Sequence, residues 1–286
     1  MGFKTVVKRD AKGRVALIGP AGSGKSMTAL ILARFFVGPV GKIAAFDTER
    51  GSLSKYAHTD TCRQNAIADG YIRLVVTRGP GDLGIDPRKC PRPELIVIAR
   101  PQLTMYTAAH QGIRLITSTF RRNAIDATSP SIKSLNYLNN VLARIEANDR
   151  GADEALMLDA QGYVAEATVD NFFIVTEHAL LTPPTATNLK GVTRETLLAV
   201  AVGLGIRTDE RPFTLFDVWT AREAFICGTG AEVVPVLSVD GRTIGSGEVG
   251  GVTARIVAAY HQLVRSQGRP IQPAAPPREI VAGYRV

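Results

Sequence analysis

Apolar and polar positions along this chain fall into two textures. RVALIG (residues 14–19) is a short apolar run ending in glycine, followed by PAGSGKS and by MTALILARFF (27–36), whose apolar spacing predicts a helix. Gly38, Pro39 and Gly41 break that helix, and KIAAFDTE (42–49) is a second apolar run. Strand, glycine-rich loop, helix and strand in that order predict a βαβ unit with parallel strands. From about residue 62 the texture changes. YIRLVVTRG (71–79), LIVIA (95–99) and IRLITSTF (113–120) predict strands, the first two separated by the turn-rich GPGDLGIDPRKCPRP. SLNYLNNVLARIEAN (134–148) has helical spacing, with Leu135, Leu138, Leu142 and Ile145 on one stripe. EALMLDA, YVAEAT, NFFIVTE and ALLTPP (154–184) are closely spaced and predict an antiparallel meander. TRETLLAVAVGLG (193–205) predicts a helix closed by Gly205, AFICGTG (224–230) a strand running into a glycine turn, and VTARIVAAYHQLVRSQG (252–268) the last helix. The Pro-rich tail from Arg269 reads as outside the core, and no internal repeat is present.

Composition is that of a globular chain: 286 residues, 45% hydrophobic and 21% charged. That length makes one large domain or two ordinary ones. A net charge of +8 normally prompts a search for a polyanionic partner, but its distribution argues otherwise. Residues 1–58 carry +7 and the last 22 carry +3, whereas residues 59–264 net −2. No nucleic-acid partner is expected. No apolar run approaches the roughly 18–20 residues of a membrane span. Cys62, Cys90 and Cys227 are widely spaced and form neither a metal nor a disulfide pattern, so a reducing, cytoplasmic setting without a bound metal is expected.

Two sets of residues carry chemistry. Gly19 to Ser26 matches G-x-x-x-x-G-K-[ST], with Gly22 and Gly24 letting backbone N–H groups turn toward phosphate, Lys25 reaching the β- and γ-phosphates and Ser26 holding Mg²⁺. Its setting between strand and helix favours a nucleotide (ATP/Mg) loop over a glycine-rich turn with a chance lysine. This region, through GKIAAFDTERGSLSKYA, resembles the P-loop start of phage RecA-like ATPases over about the first 58 residues. Asp47 and Glu49 end a strand, where they either touch Mg²⁺ or cap a turn. The further strands, second acidic strand end and water-orienting residue of such a core do not follow.

The second set begins with Lys133, in PSIKSLNYL at or just before a predicted helix start, where the macrodipole disfavours a cation. A lysine whose surroundings discourage its charge is suited to covalent catalysis; alone, an exposed loop lysine is the plainer account. Glu166 is embedded in the strand-forming VAEAT, where a carboxylate needs a proton-bearing partner such as a pyridinium nitrogen. Gly228-Thr229-Gly230 ends a strand with backbone donors and a hydroxyl, and Gly191-Val192-Thr193 opens a helix whose N-terminus suits an anion. Each alone is weak.

Together the segments DGYIRLVVTRGPGDLGIDPRKCPRP, IKSLNYLNNVLARIEA, DEALMLDAQGYVAEATVDNFFIV, LLTPPTATNLKGVTRETL and FICGTGAEVVPVLSVDGRTIGSGEVGGVT resemble the class IV (fold type IV) pyridoxal-phosphate aminotransferases, most closely the branched-chain amino-acid aminotransferases. They run in family order from about residue 60 to 265. The resemblance implies an α/β (α+β) fold: a small domain, a larger antiparallel barrel-like domain, and a homodimer. It makes Lys133 the lysine that holds pyridoxal 5'-phosphate and moves the substrate proton. Tyr137 then meets the cofactor's phenolic oxygen, Glu166 its ring nitrogen, and Val192, Thr193 and Thr229 its phosphate. Tyr71 and Arg73 alternate in one strand and share a face. The resemblance gives that face, with backbone near Gly230, to the substrate carboxyl groups; the alternative for Tyr71 is a packed strand aromatic. Ala167 and Gly230 depart from commoner family residues by small-for-small changes. The activity implied is transfer of an amino group from leucine, isoleucine or valine to 2-oxoglutarate.

The segments expected are a P-loop βαβ fragment (1–58), the remainder of an aminotransferase small domain (59–125), the large domain (126–267) and the tail (268–286). No F-E-G-x-R-like segment, which in the family brings a phosphate-binding arginine, is found, and the P-loop unit stands in its place. A fusion near residues 58–64, with impaired activity, is the simplest account of this. The alternatives are a nucleotide-binding module carrying an inactive aminotransferase remnant, and a chimera that folds only in part.

Overall fold

A computed structural model describes residues 70–101, 105–106, 109 and 111–267. The expected P-loop unit and Pro-rich tail lie outside the described residues. Contacts divide the chain into two units, Thr104–Gln267 forming one and the residues before and after it the other.

In the first unit β1 (Gly70–Thr77) and β2 (Glu94–Pro101) pair antiparallel, Tyr71 opposite Arg100 and Arg73 opposite Ile98. Between them a single 3₁₀ turn (Pro87–Lys89) is capped by Asp86, which accepts from the Arg88 N–H at 3.0 Å. The two strands and the turn-rich link are as the sequence predicts.

The second unit is built on one curled sheet. Its strands are β3 (Ile113–Thr117), β4 (Glu154–Leu158), β5 (Val164–Ala167), β6 (Asn171–Val175), β7 (Leu180–Thr182), β8 (Thr208–Glu210), β9 (Glu223–Gly228), β10 (Glu232–Val239) and β11 (Arg242–Thr243). Their order is β5-β4-β3-β10-β9-β6-β7-β8, with β11 paired to β10. The helices are α1 (Leu138–Asp149), α2 (Val192–Gly203), α3 (Leu215–Trp219) and α4 (Gly251–Ser266).

Strands β4, β5, β6 and β7 are buried on both faces, which is why they read as nearly continuous apolar runs instead of alternating ones. Phe172 and Ile174 of β6 point into the concave core with Leu156, Ile226 and Val236, while Phe173 and Val175 face Leu197 of α2 and Ile256 of α4. Cross-strand partners Phe173 and Phe225 stack at 4.9 Å between ring centroids. Such a pair adds about 0.5–1.5 kcal/mol beyond its buried area. After β11 the buried Ile244 is followed by a sharp turn, where Gly245 has φ +56° and a Cβ would overlap the Arg222 carbonyl oxygen. Gly245→Ala is expected to cost more than about 1 kcal/mol in urea unfolding.

Four expectations are corrected. The meander over 154–184 is two hairpins, β4–β5 and β6–β7, because β6 pairs with β9 and not with β5. The barrel-like sheet is mixed, since β3–β4, β3–β10 and β7–β8 are parallel. β3, placed by sequence in the small domain, belongs to this larger sheet through its pairing with β4 and β10. Finally, the 134–148 helix starts only at Leu138 and turns its stripe outward: Leu138 and Ile145 are exposed, and the buried face is Asn140, Ala143 and Ala147. Those small residues let α1 lie close on Ala155 and Met157 of β4.

Candidate active site

Arg122 and Glu166 form the centre of the site. Beyond β3 the chain continues alongside β4, with the Ser118 N–H donating to Leu156 O (2.9 Å) and the Arg122 N–H to Leu158 O (2.8 Å). Glu166 stands opposite Met157 on the other side of β4, so the two side chains meet. Glu166 Oε1 accepts from Arg122 Nε at 2.7 Å and Nη2 at 2.6 Å, and Oε2 from the Leu189 N–H at 3.1 Å and Asn171 Nδ2 at 3.2 Å. Burial pushes the Glu166 carboxyl up, while the Arg122 guanidinium, the Leu189 N–H and the Lys133 charge pull against it. The buried carboxylate that the sequence marks as needing a partner thus finds one in the chain's own arginine.

Two short segments converge on the start of β6. Asn171 Nδ2 also donates to Leu189 O at 2.9 Å, and a Cβ at Gly191 would overlap Asn171 Oδ1. That pins the N-terminus of α2, with Val192 and the buried Thr193, beside Glu166. On the neighbouring strand a Cβ at Gly228 would overlap Asp170 Oδ1, which seats the Gly228–Gly230 turn against the preceding residue. Thr229 is exposed in that turn.

The N-termini of α2 and α4 differ in a way that bears on ligands. At α4 the Val252 and Thr253 N–H groups donate to Glu223 Oε1 and Oε2 at 2.9 and 2.7 Å, so the protein supplies its own anion. At α2 the N-cap is Gly191 and, among the described residues, no side chain caps the first turn. An uncapped N-terminus with its positive dipole end, next to a glycine turn and a hydroxyl, fits a phosphate. With a buried carboxylate for a ring nitrogen and an amine within electrostatic reach, these residues fit pyridoxal 5'-phosphate.

Lys133 lies in the exposed loop before α1, and its charge acts on both Glu166 and Asp170. The N-cap of α1 is Tyr137, half-buried, so Lys133 stands four residues short of it and the expected disfavour from the macrodipole does not apply. Tyr71, half-buried, and Arg73, exposed, are in β1 of the other unit. Gly22, Gly24, Lys25 and Ser26 lie outside the described residues.

The family model for amino-transferase class IV matches residues 50–239. The chain is 50% identical over 205 residues to a putative branched-chain-amino-acid aminotransferase of Methanocaldococcus jannaschii, covering 71% of this chain and 70% of that one. The chain belongs to the class IV aminotransferases. Its fold is similar to the crystal structure of the Escherichia coli branched-chain amino acid aminotransferase, with a TM-score of 0.69 at 34% identity over 72% of this chain and 69% of that one. It is similar also to the crystal structure of the Thermobaculum terrenum branched-chain amino acid aminotransferase in its PLP-form, with a TM-score of 0.67 at 30% identity over 73% of this chain and 69% of that one.

Sequence reasoning missed several members of this aminotransferase's site. Arg122 and Asn140 are linked, Arg122 Nη1 donating to Asn140 Oδ1 at 3.2 Å and Asn140 Nδ2 to Thr168 O at 2.5 Å. Asp170 and Asn171 hold both glycine segments. The available signal was TVDNFF, where two polar residues stand at the head of an apolar strand with no turn between. Among the described residues no helix is long and apolar enough to cross a membrane, and no cluster of metal-ligating side chains is present.

Proposed function

We propose that this chain is a pyridoxal-phosphate-dependent branched-chain aminotransferase, moving the amino group of leucine, isoleucine or valine to 2-oxoglutarate. The observation that carries the reading is the convergence of the Lys133 charge, the Arg122-held Glu166 carboxylate and the uncapped N-terminus of α2 within one unit. The relatives' activity supports the substrate class.

When bound, the cofactor supplies an electron-withdrawing ring that stabilises negative charge at the substrate Cα. The chain's residues do the rest. Lys133 Nζ holds the cofactor and, once released by substrate, takes the Cα proton as general base. The Glu166 carboxylate keeps a proton on the ring nitrogen, and Arg122 fixes that carboxylate in place. Val192 and Thr193 N–H groups and the Thr229 hydroxyl hold the phosphate, and Tyr137 meets the phenolic oxygen. The backbone at Gly230 binds a substrate carboxyl group. Leu138, Val141 and Ile145, exposed at i, i+3 and i+7 of α1, form an apolar stripe that supports a homodimer, and the wide spacing of the three cysteines supports a reducing, cytoplasmic setting.

The test is glutamate formation by the purified chain given pyridoxal 5'-phosphate, leucine and 2-oxoglutarate. Glutamate is expected only when all three are present, with aspartate a poor replacement for leucine. Equal rates with aspartate, or none with any branched-chain amino acid, contradict the reading.

A further inference from the structure

Behind the glycine turn lies a buried cluster that the reaction does not use directly. The Tyr106 hydroxyl lies 2.9 Å from Glu154 Oε2 and 2.7 Å from Asp170 Oδ2. All three residues are buried, Glu154 completely. Each oxygen–oxygen contact of that length needs a hydrogen between its atoms, and a phenol has only one. Glu154 is already supplied by donors: Arg144 Nη1 at 2.7 Å on Oε2, and Thr168 Oγ1 and the Ala155 N–H, both at 2.7 Å, on Oε1. Paired with a guanidinium, it is the anion of the set, and the tyrosine proton goes to it. The hydrogen between Tyr106 and Asp170 then comes from Asp170.

Asp170 is also the residue that meets the Gly228–Gly230 turn, since its Oδ1 occupies the space a Cβ at Gly228 would take. One carboxyl oxygen therefore faces the buried tyrosine and the other faces the turn. We propose that Asp170 is a positioning residue that as a neutral acid donates its proton to Tyr106 and so fixes the Gly228–Gly230 turn for the phosphate, and as an anion releases it. This rests on the proposed function for the identity of the ligand, but not for the proton itself.

The groups facing Asp170 agree with a retained proton. Burial, first, and the charges of Glu154 and Glu166 push it up to about 6, against the Lys133 charge and the pull of a Tyr106 hydroxyl that donates to the ionised carboxylate. Cys227, on the paired strand, is held protonated by burial and so places no charge beside Asp170. Because the folded value lies above the unfolded one of 3.8, the folded state binds the extra proton between the two. Stability is therefore lost as pH rises from about 4 to about 6 and does not recover above that. Past that range Tyr106 can donate to only one carboxylate, and the tie to the turn opens.

The experiment compares the full-length wild-type chain with Asp170→Asn and Asp170→Ala from pH 5 to 8. Pyridoxal 5'-phosphate is titrated into each, and melting temperatures are taken before the cofactor is added. The asparagine amide keeps a donor toward Tyr106 at every pH. The wild-type Kd relative to that of Asp170→Asn is expected to rise from near one at pH 5 to about tenfold at pH 8, the scale of one lost buried hydrogen bond. Asp170→Ala should bind weakly at every pH. Asp170→Asn should also melt about 4 °C above wild type at pH 7–8, a gap that narrows toward pH 5. A Kd ratio that stays flat with pH, or an asparagine variant as weak as alanine, overturns the proposal. Should wild type bind no cofactor at all, the proposed function fails, and the melting comparison alone decides whether Asp170 holds the proton.

Discussion

Lys133→Ala lowers amino transfer on the order of 10⁴-fold, the upper range for removing a positioned general base. The chain is expected to remain folded, because Lys133 is exposed and makes no hydrogen bond or ion pair to the described residues. An exposed loop substitution of this kind changes stability by about 0.5 kcal/mol or less. Activity and stability should thus separate cleanly in this variant. Lys190 is the matched control, a second exposed lysine near α2, paired with Glu195 at 3.3 Å. Its alanine variant should keep amino transfer within a few-fold of wild type. Comparing kcat/KM for leucine and urea midpoints across the three proteins gives the answer. Activity within tenfold of wild type in Lys133→Ala removes this lysine from the reaction.

Glu166→Ala is expected to be the most destabilising change at the site. It leaves the Arg122 guanidinium, 8% exposed, without its carboxylate. Breaking a buried pair on one side costs about 3–5 kcal/mol, because the charge that remains is neither solvated nor balanced. Replacing both partners by uncharged residues of similar size, Arg122→Met with Glu166→Gln, should recover much of that loss. Amino transfer should not recover with it, since no carboxylate is left to keep the ring nitrogen protonated. Urea denaturation read beside kcat/KM for both variants separates the two roles. Recovery of activity along with stability would show that Glu166 serves the fold alone.

How much of this was legible in the sequence follows from what kind of information each part needs. Runs with strong local pattern, such as YIRLVVTRG, AFICGTG and the last helix, appear as β1, β9 and α4. β10 was not predicted, and Pro235 in the middle of EVVPVLSV argues against a strand locally. It is tolerated because β3 begins at Ile113, opposite Val236, so the proline lies beyond the end of that ladder. The outward stripe of α1 misleads for a related reason: periodicity shows that one face is apolar, not which face meets the sheet. Alanines won that position because they permit a close approach.

The site divides in the same way. Glu166 and the two glycine segments are visible because an acid in a strand, or a glycine at a helix start, is locally unusual. Arg122, Asn171, Asp170 and Tyr106 matter through partners 5 to 64 residues away, and no local pattern reports those pairings. Charge was informative in the negative sense. The excess of +8 belongs to the two ends of the chain, and the part that carries this site is nearly neutral.

The central claim is that Lys133 is the residue that holds the cofactor, and the most direct measurement is chemical trapping. The purified chain is loaded with pyridoxal 5'-phosphate, reduced with borohydride, digested and mapped by mass spectrometry. The account predicts one modified lysine, Lys133, in the peptide preceding α1, and its loss when leucine is added before the reductant. Modification at Lys25, Lys190 or another lysine instead of Lys133, or labelling unaffected by leucine, would contradict it.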